Sequence, residues 1–148
     1  MELLQTTAIL RKQHEKLAGR ILEVQDLLTP EELALSKKAI HERNLLSEFM
    51  GVLDWHFGME DEFFYPELLK HENAELREMT KRYIDEIGGL KKRFEEYNKK
   101  WEGIDSIKDD PNGFVEETRD IFDALSERIQ RENNELFVFI ETLEHAGA

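Results

Sequence analysis

Apolar residues recur along most of this chain at alternating steps of three and four, the spacing of a helix that buries one stripe. The first series is Leu3, Thr7, Leu10, His14, Leu17, Ile21, Val24 and Leu28. It stops at Leu28-Thr29-Pro30. There Thr29 is placed to cap a second helix, Pro30 suits its first position, and Glu32 completes a Ser/Thr-x-x-Glu capping box. The second stripe reads Ala39, Leu46, Phe49, Leu53, His56, Glu60 and Phe63, with Pro66 near its end. A turn through His71 and Glu72 follows, and Asn73 is the expected cap of a third helix. That helix carries Leu76, Thr80, Tyr83, Ile87, Leu90, Phe94, Tyr97 and Trp101, and Gly88-Gly89 marks a kink in it. Residues 103–113, GIDSIKDDPNG, form the one long loop signal. Asp110-Pro111 then opens a fourth helix with Val115, Phe122, Leu125, Ile129, Glu132, Leu136, Phe139 and Leu143 inside. Short connections between long amphipathic helices favour antiparallel neighbours. The expectation is an all-α, up-down-up-down four-helix bundle, one domain over residues 1–148.

Composition fits this picture and removes several functions. A charged fraction of 36% beside 40% hydrophobic residues suits helices with solvated outer faces. The formal net charge of −13 would repel phosphate backbones and anionic lipid, so neither nucleic acid nor membrane is an expected partner. No run approaches a membrane span, and the first residues show no basic-then-apolar leader pattern. With no cysteine, disulfides, thiolate zinc sites, iron–sulfur clusters and cysteine nucleophiles are excluded. A cytoplasmic location is the expectation; the pattern assigns no oligomeric state.

The informative residues are the polar ones that interrupt the seams. His14, His56, Glu60 and Glu132 all occupy inward positions. A buried carboxylate is costly unless a metal, a positive partner or hydrogen bonds compensate it. His56 and Glu60 are four residues apart, so both can reach one ion, or the carboxylate can bridge two. Counting along the helices at 1.5 Å per residue places His14 and Glu132 roughly 18 Å from the same end, level with the His56–Glu60 pair. A lone buried histidine is usually a hydrogen-bonded core residue, and Glu132 can pair with Arg128. Four such residues at one level favour a metal. Nitrogen and oxygen donors without thiolate suit iron, manganese or zinc. The remaining histidines carry less: His41 lies off the stripe, His71 and Glu75 are separated by a helix start, and His145 is near the terminus. Trp55, Phe57, Phe64, Tyr65 and Phe137 are expected to be packing residues.

His14-Glu15-Lys16-Leu17, followed by His56-x-x-x-Glu60 and the aromatic-proline ending Tyr65-Pro66, resembles the first half of a hemerythrin-like HHE cation-binding domain. The resemblance implies a non-haem di-iron centre between four helices. It also implies a role in oxygen carriage or sensing, iron or redox sensing, or repair of damaged iron–sulfur proteins. The second half departs from the pattern. Arg128 through Phe137 aligns without gaps on His56 through Tyr65, so Glu132 matches Glu60 while Arg128 stands where a histidine is expected. The third helix has no histidine, and Tyr83, Glu86 or Ile87 falls at its level.

Two arrangements close the gap, and they are compatible. His14, His56, Glu60 and Glu132 can hold one ion, helped by Tyr83 or Glu86, or the Arg128 guanidinium can replace a cation beside the carboxylates. The expected function is therefore a non-haem iron-binding protein of metal, oxygen or redox sensing or handling. Its iron would be one or two ions, with manganese or zinc as other candidates. A small diatomic ligand such as oxygen or nitric oxide would be its partner, and it would not be a standard oxygen carrier. The alternative is a metal-free interaction module in which Arg128 pairs with the buried carboxylates. A third reading is peroxide or nitric oxide chemistry at an open iron position. Glu-x-x-His pairs, HExxH and phosphate-binding glycine loops are absent, and no catalytic nucleophile emerges.

Overall fold

The computed structural model describes residues 2–26 and 28–146, which are helical through most of their length and contain no strand. Helix α1 (Leu3–Gln25) buries Thr7, Leu10, His14, Leu17, Ile21 and Val24, as the three-four spacing predicts. The expected capping box does not form. Thr29 is extended and its side chain makes no cap bond, although Pro30 does take the first position of α2 (Pro30–Leu33). This single turn is anchored by the fully buried Leu33, and extended Leu35 redirects the chain into α3 (Ser36–Phe57).

Helix α3 continues without a break through a π-helical stretch, π1 (Gly58–Phe64), into α4 (Tyr65–Leu69). The amide of Tyr65 bonds the Glu60 carbonyl, five residues back. This wider turn rotates everything after it relative to an α-helix. Phe63, expected inside, is consequently 68% exposed, and Phe64 is buried in its place. Trp55 is also exposed rather than packed, because it lies on the opposite side from Leu53, His56 and Glu60.

Asn73 caps α5 (Ala74–Ile87) by accepting the Leu76 amide at 2.9 Å. Gly88-Gly89 separates it from α6 (Leu90–Lys100), as anticipated. The predicted loop instead contains a short helix, α7 (Ile104–Asp109). Ile104 and Ile107 fall on one side of that turn; Ile107 is fully buried, and Lys108 reaches Ser36 at 2.6 Å. Asp110 caps α8 (Pro111–Arg131) through the Gly113 amide. A second π-helical stretch, π2 (Glu132–Leu136), leads into α9 (Phe137–Ala146), with the Phe137 amide on the Glu132 carbonyl. The same one-residue rotation puts Ile140 in the core and leaves Phe139 and Leu143 only partly buried.

Side-chain contacts fix how these pieces run. Gln13–His56 and Arg20–Glu48 set α1 against α3 in opposite directions. Arg43–Asn98 and Lys91–Glu62 do the same for α3–π1 and α6. Tyr97–Thr118 and Tyr83–Arg131 oppose α5–α6 to α8, and Arg11–Glu141 with His14–Asn133 opposes α1 to π2–α9. Two apolar clusters result, one running from Leu17 to Ile129 and the other gathering Leu10, Phe64, Tyr83, Leu136 and Ile140. His14, His56, Glu60, Arg128 and Glu132 occupy the chain positions between them, all buried. No helix among the described residues is long and apolar enough to cross a membrane.

Candidate metal centre

The four residues singled out by their seam positions do meet. One donor atom from each of His14, His56, Glu60 and Glu132 lies within 4.8 Å of all the others. His14 Nε2 and His56 Nε2 are 3.2 Å apart. His56 Nε2 is 3.0 Å from Glu60 Oε1, while His14 Nε2 is 3.2 Å from Glu132 Oε1 and 3.5 Å from Glu60 Oε2. With bonds of about 2.1 Å, neighbouring donors around a single ion lie roughly 3.0–3.4 Å apart. The His14–His56 and His14–Glu132 spacings fall in that range, His14–Glu60 Oε2 lies just beyond it, and the whole donor set spans no more than 4.8 Å.

Each histidine is oriented from behind. His14 Nδ1 is 2.7 Å from Asn133 Oδ1, and His56 Nδ1 is 2.7 Å from Gln13 Oε1. An amide oxygen can only accept, so both rings carry their proton on Nδ1. Both Nε2 lone pairs then point into the same small space, which is repulsive unless a positive charge sits between them. The two supporting amides are crossed: Gln13 precedes His14 but serves His56, and Asn133 follows Glu132 but serves His14. Seam spacing did not reveal them, because they flank the inner stripe; their adjacency to ligand positions was the only sequence signal.

Both carboxylates divide their oxygens between two cations' worth of space. Glu60 Oε2 and Glu132 Oε1 face the histidines and have no hydrogen-bond donor. The opposite oxygens face Arg128, and Glu60 Oε1 also lies 3.0 Å from His56 Nε2. The arginine Nη2 is 2.9 Å from Glu60 Oε1, and its Nε is 3.6 Å from Glu132 Oε2, which also accepts from the Tyr65 hydroxyl. Arg128 Nη2 further reaches Asp61 Oδ1 at 2.9 Å, and Nη1 reaches the Ile87 carbonyl at 3.2 Å. Its guanidinium lies over the Phe57 ring at 4.7 Å and the Tyr65 ring at 5.5 Å. The Ile87 carbonyl is accessible because α5 ends there, before Gly88-Gly89. Asp61, which the sequence reading passed over, is the residue that completes the arginine's surroundings.

Tyr83 and Glu86, expected as additional ligands or second-layer partners, go elsewhere. The Tyr83 hydroxyl donates to the Arg131 carbonyl at 3.1 Å, and Glu86 pairs with the Arg131 guanidinium at 2.5 Å. Both are therefore engaged by Arg131, the residue before Glu132.

The electrostatics call for positive charge. Burial opposes a charged His14, yet Glu132 and Glu60 raise its pKa to about 10. Burial and the charge of Glu60 push Glu132 up to about 7, against Arg128 and His14. Burial also disfavours ionised Glu60, but His56, Arg128 and its hydrogen bonds hold it well below the usual carboxylate range. A proton on His14 thus occupies, in the metal-free protein, the place where a cation would bind. With neutral histidines, Glu60, Glu132 and Asp61 against Arg128 leave two negative charges, which a divalent ion would neutralise.

The family model described as the hemerythrin HHE cation binding domain matches residues 5–140. The search of curated proteins and the search of solved structures found no match. The match spans most of the chain and includes both ungapped segments, 56–65 and 128–137. Each of those segments carries a π-helical stretch around its glutamate.

Proposed function

Starting from a chain that belongs to the hemerythrin HHE cation-binding family, we propose that it is an up-down-up-down four-helix bundle binding a single iron ion. His14 and His56 supply neutral nitrogen donors, and Glu60 Oε2 and Glu132 Oε1 supply the negative oxygens. Arg128 takes the place of a second cation. The function that follows is metal, oxygen or redox sensing or handling, with oxygen or nitric oxide as the small ligand, rather than ordinary oxygen carriage.

One observation carries this reading: Glu60 Oε2 and Glu132 Oε1 lie beside His14 without a hydrogen-bond partner, while Glu132 Oε2 lies towards Arg128 and Glu60 Oε1 sits between Arg128 and His56. A carboxylate in that posture bridges two positive centres. Only one of the two is a side chain.

Protein purified without chelator should contain one equivalent of iron, or take up one on anaerobic reconstitution, and should melt at higher temperature with it. Ligand linkage gives about 2.7 kcal/mol at one hundred times Kd. Replacing His56 and Glu60 together by alanine should abolish uptake. Two equivalents would refute the role of Arg128, and a well-folded protein that takes up no transition metal would refute the site. Manganese or zinc in stoichiometric amount would retain the site and change the ion. A second reading has its own support, since Arg128 is fully buried with ion pairs at 2.9 Å to both Glu60 and Asp61. A metal-free interaction module with this network predicts a melting temperature indifferent to added metal.

A further inference from the structure

Met59 lies in π1, beside the Glu60 ligand position, and its thioether is tied to the other end of the site. Gln13 Nε2 donates to Met59 Sδ at 3.0 Å, while Gln13 Oε1 accepts from His56 Nδ1 at 2.7 Å. One amide therefore joins a sulfur atom to an imidazole of the candidate centre. Met59 is only partly buried and walls a surface cleft of about 540 Å³ together with Leu3, Thr6, Phe63 and Phe64. Such a cleft brings a small polar oxidant to the Met59 side chain. Met50, by contrast, is buried in the apolar core. Met79 is also partly buried but lines a different cleft beside α5.

We propose that Met59 is an oxidation site for small hydroperoxides, and that Gln13 transmits its oxidation to His56. The sulfur lone pair attacks the peroxide oxygen, an S–O bond forms and the O–O bond breaks. Thioether and hydrogen peroxide give sulfoxide and water, the sulfur being oxidised and the peroxide reduced. The product replaces a weak acceptor by a strong, bulkier one. Oxygen added on the side of Gln13 has no room beside the 3.0 Å Sδ–Nε2 contact unless the amide withdraws, and oxygen added on the cleft side is the stronger acceptor towards which the Gln13 amide turns. Either movement alters the hydrogen bond that fixes the His56 tautomer and ring plane. Loss of such an orienting partner weakens metal binding by about 10–100-fold.

The coupling to a metal rests on the proposed centre; the coupling to His56 does not. Metal-free protein is treated with dilute hydrogen peroxide, quenched with catalase, and mapped by peptide mass spectrometry. Met59 should gain one oxygen several-fold faster than Met79, and faster still than Met50. In the same metal-free samples, the His56 ring nitrogen resonances should shift, and methionine sulfoxide reductase should restore them. Co2+ titration should then show affinity reduced about tenfold or more, with M59L unaffected by peroxide in both measurements. Oxidation of Met59 no faster than Met79, or oxidised Met59 with unmoved His56 resonances, overturns the inference. Untreated protein that fails to bind Co2+ counts against the metal centre instead, while the resonances still decide the link from Met59 to His56.

Discussion

Glu42 should make this protein markedly less stable at neutral pH than in mild acid. The residue lies on the inner stripe of α3 between Ala39 and Leu46, is fully buried, and neither carboxyl oxygen has a hydrogen-bond partner. Among the described residues no cation pairs with it: the guanidinium of neighbouring Arg43 is turned to Asn98 Oδ1 and the Trp101 carbonyl, at 2.6 and 3.3 Å. Across the core, the Tyr97 hydroxyl is already bonded to Thr118 Oγ1. Burial alone pushes the Glu42 pKa up from 4.5 to about 8. A raised folded-state pKa means that the stability is complete below the unfolded value and is lost as pH rises towards the folded one. Integrating between pH 5 and pH 8 gives a loss of roughly 3 kcal/mol, or about 6–12 °C in Tm for a domain of this size. The assay is urea denaturation in chelator across that range, comparing the wild type with E42L, whose side chain cannot ionise. Chelator keeps the metal centre from contributing, and the remaining titrations are common to both proteins. The difference between the two curves should widen by roughly 3 kcal/mol from pH 5 to pH 8. Parallel curves would show that the carboxyl is solvated or paired, and the reasoning from burial would fail.

Arg128→Met removes the cation that stands 2.9 Å from buried Glu60 and should destabilise the metal-free protein by about 3–5 kcal/mol in chemical denaturation. A loss below about 1 kcal/mol would mean that the carboxylates are compensated in another way. Tyr65→Phe deletes the hydroxyl bonded to Glu132 and should cost about 1.5–3 kcal/mol in the same assay, the range for hydrogen bonds to charged groups. Gly88→Ala should lower Tm by several degrees, because its Cβ would stand 2.4 Å from the Ile84 carbonyl oxygen and overpacking costs typically ~1–3 kcal/mol. Gly89→Ala meets nothing within 4 Å and should leave Tm nearly unchanged, so equal losses at both positions would contradict the steric account.

The seams of α1, α3, α5, α6 and α8 were legible because an α-helix repeats its inner face at known steps, and those steps are written in the side chains. The exceptions fall where the backbone departs from that period. Phe63, Phe139 and Leu143 were assigned inward by extending the α-helical count through residues 58–64 and 132–136, and π-helical turns have no residue signature that corrects the count. The same turns begin at or just before Glu60 and Glu132. Helix α7 was missed for another reason. Its six residues are too few to show periodicity, and its helical state depends on burying Ile107, a tertiary contact. Glu42 was readable from its spacing, since three residues from Ala39 and four from Leu46 put it inside, whereas its neighbour His41 lies off the stripe.

The ligand positions were legible for a reason that also limits them. Placing His14, His56, Glu60 and Glu132 at one level needed only helix rise and chain direction, whereas the partners of Arg128 needed rotation about each helix axis. Asp61 follows Glu60 directly and would point away from it on an ideal α-helix, as consecutive residues do. In the widened turn of π1 both carboxylates reach the same Nη2 at 2.9 Å. On the facing element, the break at Gly88-Gly89 leaves the Ile87 carbonyl available to Nη1. The arginine is thus received by two local departures from α-helical geometry, one in π1 and one after α5. Neither would help bind an ion at the histidine side, where every donor comes from a side chain. That separation is the physical basis for treating the centre as two unlike halves, one built for a guanidinium and one of two carboxylate oxygens and two imidazole nitrogens, where the proton on His14 supplies the positive charge in the metal-free protein.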